Sequence, residues 1–171
     1  VDLINSGKVH IVEPDLDKLV QSVVASKNLR ATTTPEEADA FLIAVPTPFK
    51  GDHEPDIGYI KLASESIAPV LKKGDLVILE STSPVGATEK MSQWMAAARP
   101  DLTFPQTHSE ESDIRVAHCP ERVLPGQVIR ELVANDRVIG GMTLKCSEAA
   151  ASLYKIFVEG DCIVTTSRTA E

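Results

Sequence analysis

The chain has 171 residues, 43% hydrophobic and 4% aromatic, which is apolar material for one domain with a core of Val, Ile, Leu and Ala. Seventeen Lys and Arg against 25 Asp and Glu leave a formal charge of −8, with no basic stripe, so nucleic acid is excluded as the expected partner. Cys119, Cys146 and Cys162 form no CxxC pair and fit a reducing compartment, the cytoplasm, while no apolar run approaches the roughly 20 residues a membrane helix needs.

In chain order, "VDLINSGK" from Val1 reads as the last turns of a helix, with Gly7 at its C-terminal cap. Residues 14–26 carry Leu16, Leu19, Val20, Val23 and Val24 at helical spacing. Thr34, Pro35 and Glu37 predict a short capped turn. Ala40–Val45 is a continuous apolar run suited to a strand buried on both faces, and Pro46-Thr47-Pro48 ends it. Asp56 caps a helix predicted from about Ile57 to Lys73, with Gly74 as its stop. Asp75–Glu80 is the next strand. A helix with Met91, Trp94, Met95 and Ala98 along one side follows, with Ser83 as its N-cap and Pro84 at its first position. Ile114–Cys119 and Asp136–Gly141 read as strands, Cys146–Val158 as a helix and Asp161–Thr166 as a strand. "SRTAE" reads as a helix beginning, with Ser167 or Thr169 as N-cap. Pro48–Asp56 and Arg99–Asp113 read as polar loops, the second a surface excursion. Both ends cut through elements, so the chain reads as a piece of a longer protein.

Strands alternating with helices predict an α/β class: a Rossmann-like parallel sheet with helices on both faces. In such sheets ligands bind outside the carboxyl ends of the strands. Three predicted strand ends carry proline-stiffened loops: "PTPF" with Pro46 and Thr47, "STSPVG" with Ser81 and Thr82, and "PERVLPG" with Glu121 and Arg122. A helix opening at Ser83 and Pro84 leaves free N–H groups toward the cleft for anionic or polar groups. Ser81 and Thr82 then hold a water or a ribose hydroxyl, or else simply cap that helix. Glu121 serves as a general base, or else pairs internally with Arg122. Thr47 faces a cofactor, or else belongs to a turn. His10, His53, His108 and His118 share no metal-ligand spacing, so no metal is expected. Cys119 borders a candidate site, either as a reactive thiol or as a small buried hydrophobe. The nine glycines contain no GxGxxG.

Taken together, "VEPDL", "AVPTPFKGDHEPD", "LESTSPVGATEK", "CPERVLPG", "DRVIGG" and "TTSRTAE" resemble the nucleotide-sugar 6-dehydrogenases, the relatives of UDP-glucose dehydrogenase. The resemblance runs along essentially the whole chain. "PTPFKGDHEPD" and "HCPERVLPGQV" resemble most the bacterial branch that acts on UDP-N-acetyl-D-mannosamine, whose product enters surface polysaccharides such as enterobacterial common antigen. UDP-glucose and UDP-N-acetylglucosamine stay open as substrates, as does an inactive truncated remnant.

The resemblance implies a reaction in which NAD+ takes two hydrides in turn, a cysteine thioester forms, and water hydrolyses it. It implies that Thr82 helps hold that water and Glu121 assists proton transfer. Glu121, Arg122, Val123 and Leu124 would line the sugar-nucleotide site, and Pro46, Thr47, Ser81 and Thr82 would lie along NAD. Pro125 stands where the UDP-glucose branch carries a second acidic residue that touches the cofactor. The resemblance also places the glycine-rich turn before Val1, lacking here with the first βαβ unit. The catalytic lysine and asparagine would follow Glu171, and the nucleophilic cysteine would lie further on, matching none of the three present. Residues 1–166 would be most of the NAD-binding domain, and 167–171 would begin the central helix through which the intact enzymes form homodimers or larger oligomers. The isolated chain is then expected to be inactive.

Overall fold

The computed structural model describes all 171 residues. The chain begins with α1 (Asp2–Asn5) and α2 (Leu16–Ala25). Gly7 takes a left-handed φ of 73° just past α1, as its reading as a cap requires. The predicted turn at Thr34–Glu37 does not form a helical turn. The Thr32 hydroxyl accepts the Thr34 N–H at 3.1 Å, a local bond that competes with a helical turn, and Arg30 pairs with Glu36 across the bend.

The central sheet has five strands in the order β1-β4-β5-β6-β7: β1 (Ala40–Ile43), β4 (Leu76–Leu79), β5 (Arg115–His118), β6 (Arg137–Gly141) and β7 (Cys162–Thr166). All neighbours are parallel except β5 and β6, so the sheet is mixed rather than wholly parallel. The β5–β6 connection holds the seven-residue helix α6 (Val128–Ala134) and returns the chain antiparallel beside β5. That helix is an addition to the elements read from sequence. In β4 every residue is buried, and its side chains alternate between two cores. Val77 and Leu79 pack with α3 (Gly58–Ile67) and α4 (Ala87–Ala98) through Ile60, Met91 and Met95. Leu76 and Ile78 face α7 (Leu144–Tyr154) through Ala150, Ala151 and Tyr154. Helices thus cover both faces, as expected. β1 differs from its reading as a doubly buried strand. It is an edge strand, and Leu42 is 44% exposed.

The loop after β1 closes as a small hairpin, β2 (Phe49–Lys50) on β3 (Glu54–Pro55), braced by Lys50 to Asp56 at 2.8 Å. Asp56 also accepts the Gly58 N–H at 2.8 Å, but the N-cap position of α3 is Ile57 rather than Asp56, and the helix ends at Ile67, short of the predicted Lys73. The Arg99–Asp113 segment is not a surface excursion. Phe104 is buried in the α3/α4 core, α5 (Pro105–His108) follows it, and Asp113 ties back to Thr103. The chain ends with α8 (Ser167–Ala170), whose cap is Thr166 rather than Ser167 or Thr169; its hydroxyl accepts the Thr169 N–H. No helix is long and apolar enough to cross a membrane.

Candidate dinucleotide and water-handling site

Because β1, β4 and β5 run parallel, their carboxyl ends open on one edge of the sheet. Two of the proline loops are stitched together there. The Ser81 hydroxyl accepts the Val45 N–H at 2.6 Å and lies 3.4 Å from the Ile43 carbonyl. The Thr47 hydroxyl donates to the Thr82 carbonyl at 2.6 Å. Pro46 sits exposed between these two ties. Ser81 therefore fixes the loop with its hydroxyl, whereas the Thr82 side chain is exposed and free for a ligand or water. Thr47, Phe49, Pro55, Thr82, Ser83 and Pro84 line a cleft of about 250 Å³ at this edge.

The start of α4 differs from its sequence reading. Ser83 is buried and donates to the Ser81 carbonyl at 2.6 Å, so it is not the helix cap. The chain turns instead at Gly86, with φ 93°, and the helix begins at Ala87. Its N–H groups are not free either. The Glu171 carboxylate accepts from Gly86 and Thr88, each at 2.6 Å. A residue 85 positions away thus occupies the positive end of α4 that was expected to face an anionic ligand.

At the end of β5, Glu121 is bonded by its neighbour's backbone, with the Arg122 N–H 2.6 Å from Oε1. Its ion-pair partner is Arg137 of β6, at 3.5 Å, not Arg122. The Arg122–Leu124 loop is held from outside: Leu124 N–H donates to Glu131 at 2.7 Å, and Gly126 N–H reaches Glu13 at 2.9 Å. Val123 is half-buried, while Arg122 and Leu124 are exposed. Cys119 is fully buried and its thiol is pushed up to about 11 by burial, so it packs as a small hydrophobe. His118 is buried on the opposite face, and burial lowers its pKa. Three residues escaped sequence reasoning: Arg137, Tyr154 and Glu80. The available signals were a charge opening an apolar strand, an aromatic in an aromatic-poor chain, and a carboxylate ending an apolar run.

The exposed Thr82 side chain and the cleft beside it suit one side of a dinucleotide. The chain's own residues supply hydroxyls and carbonyls there, but no glycine-rich cradle for a pyrophosphate. Residues 1–158 match the model of the UDP-glucose/GDP-mannose dehydrogenase family, NAD binding domain. The chain belongs to that family. The family's cofactor is NAD, and the matched part is the domain that binds it. A UDP-N-acetyl-D-mannosamine dehydrogenase of Yersinia pestis is 70% identical over all 171 residues, which make up 41% of its length. An NDP-N-acetyl-D-galactosaminuronic acid dehydrogenase of Ralstonia nicotianae is likewise 70% identical over the whole chain, 40% of its own length. A solved structure of a UDP-D-ManNAc dehydrogenase from Pyrococcus horikoshii superposes with a TM-score of 0.90 at 39% identity, covering 99% of this chain and 40% of that one. The chain therefore spans about two fifths of the length of these relatives.

Proposed function

We propose that residues 1–166 are most of the NAD-binding domain of a cytoplasmic UDP-N-acetyl-D-mannosamine 6-dehydrogenase, and that 167–171 begin the helix through which the intact enzyme dimerises. The product, UDP-N-acetyl-D-mannosaminuronate, would feed a bacterial surface polysaccharide. The observation that carries this reading is the convergence of Thr47, Thr82 and Glu121 at the ends of three adjacent parallel strands, in a chain 70% identical to such a dehydrogenase.

Bound NAD supplies the hydride acceptor. Pro46, Thr47, Ser81 and Thr82 form the wall along it: Ser81 and Thr47 lock the two loops, and Thr82 presents its hydroxyl. Thr82 also holds the hydrolytic water. Glu121 accepts a proton from that water as its oxygen adds to the thioester carbonyl and the cysteine thiolate leaves, giving the carboxylate product, which is work a positioned carboxylate does well. The exposed Arg122 side chain and the backbone of Val123 and Leu124 receive the sugar nucleotide, on a loop fixed by Glu13 and Glu131.

The test is an assay of the full-length protein with NAD+ and each of UDP-N-acetylmannosamine, UDP-N-acetylgalactosamine, UDP-N-acetylglucosamine and UDP-glucose. Two NADH per sugar and highest kcat/KM with the mannosamine compound are expected. A higher value with another sugar would replace the substrate, and no turnover with any would remove the enzymatic reading. Thr82→Ala is expected to lower kcat by about 10²-fold, the scale of losing a proton-transfer or water-positioning group. Residues 1–171 alone are expected to give no turnover.

A further inference from the structure

Arg137 is the largest fully buried side chain of the domain, 1% exposed, at the first position of β6. Its burial follows from the one antiparallel pairing of the sheet. His118 lies opposite Gly140, so Arg137, three residues before Gly140, comes beside Glu121, three residues after His118. The guanidinium is fixed on several sides. It stacks 5.6 Å from the centre of the Tyr154 ring, and Nη2 donates to the Leu132 carbonyl at 3.1 Å. The Tyr154 hydroxyl donates to Glu80 at 2.7 Å. Glu80 immediately precedes Ser81 and Thr82. A chain of contacts therefore joins the root of the Thr82 loop to Glu121 through the buried Tyr154 of α7 and Arg137 of β6.

The contacts on Glu121 are one-sided. Both the Arg137 Nη1 at 3.5 Å and the Arg122 N–H at 2.6 Å meet Oε1. The side chain is 37% exposed, and Oε2 accepts no hydrogen bond from the protein. One oxygen is thus held by a buried cation and a backbone N–H, and the other is left without a hydrogen bond.

We propose that Arg137 is a positioning residue for catalysis: held by Tyr154 and Leu132, it anchors Oε1 of Glu121 so that Oε2 faces the hydrolytic water. This rests on the reading of Glu121 as the proton acceptor. Arg137 itself touches no substrate. The arrangement fixes the carboxylate rotamer without occupying the oxygen that does the chemistry. It also makes the pair geometry-specific, because a lysine would keep the charge but lose the planar fork and the stacking.

The experiment is a double-mutant cycle in the full-length protein. Arg137→Met, Glu121→Gln and the double variant are assayed with UDP-N-acetylmannosamine and NAD+, beside Arg137→Lys. Arg137→Met is expected to lower kcat by about 10-fold or more, with KM for both substrates within about threefold. Arg137→Lys should recover part of the loss. In the Glu121→Gln background, Arg137→Met should cost nothing further, since no proton acceptor remains to be oriented. An equal loss in both backgrounds would assign Arg137 to the fold alone and overturn the proposal. So would wild-type kcat in Arg137→Met or, if that variant does not fold, in Arg137→Lys. If Glu121→Gln alone turned over like the wild type, the role of Glu121 would fail instead, whatever Arg137 did.

Discussion

Asp113 closes the connection between α5 and β5 with one carboxylate. It takes the Lys73 ammonium at 2.8 Å and the Thr103 hydroxyl and N–H at 2.8 and 3.0 Å. Lys73 first, then Thr103, hold its pKa down from 3.8 to about 2. The folded pKa lies below the unfolded one, so the unfolded chain takes up the proton first as acid is added. The stabilisation is therefore complete above the unfolded value and is lost as pH falls toward about 2. Asp113→Asn is expected to lower Tm at pH 7, with the gap to wild type closing between about pH 4 and pH 2 in thermal melts. A gap independent of pH would mean that the charge is not what Asp113 contributes. The apolar anchors work on a larger scale. Ile78, buried on the α7 face of β4, is expected to cost about 2–5 kcal/mol as Ile78→Ala in denaturant titration. Ile78 was legible in the sequence as part of a continuous apolar run. The partners of Asp113 were not, because they come from separate turns.

The elements form where their residues dictate, but their ends are set by neighbours. β6 ends in Gly140 and Gly141 because nothing larger fits. A Cβ on Gly140 would lie against the Thr166 carbonyl and the Ala170 side chain, and one on Gly141 against Ser147. Gly140→Ala is expected to destabilise by about 1–3 kcal/mol, the cost of overpacking against backbone, read from the same titrations. α4 shows the reverse dependence. Its apolar side was plain from Met91 and Met95, yet its first residue was misplaced because the cap comes from Glu171. Glu171→Ala is expected to cost about 1 kcal/mol, the usual scale for losing a side-chain cap. Glu171→Ala bears on function as well as stability, since α4 begins where the Thr82 loop ends.

At the scale of the molecule, the two edges of the sheet, β1 and β7, are features with consequences, and β1 is the one beside the candidate site. β1 pairs only with β4, and Leu42 is 44% exposed beside a row of unpaired backbone groups. Such an edge is a template for another strand. The isolated 171-residue chain is expected to self-associate with rising concentration, and Leu42→Lys to shift it toward monomer in sedimentation velocity. Unchanged association in Leu42→Lys would move the contact elsewhere.

The alternation of apolar strands and amphipathic helices determined the α/β class by itself. So did the positions of most strands, and the presence of hydroxyls and a carboxylate at three strand ends. These are local properties, written as side-chain periodicity and as proline and glycine chemistry within a few residues. Only the tertiary structure decided that β6 runs antiparallel, that Glu171 fills the end of α4, and that Arg137 rather than Arg122 pairs with Glu121. Each of these joins segments distant in sequence through the pairing and packing of the sheet, and no local pattern records which distant partner a charge will meet.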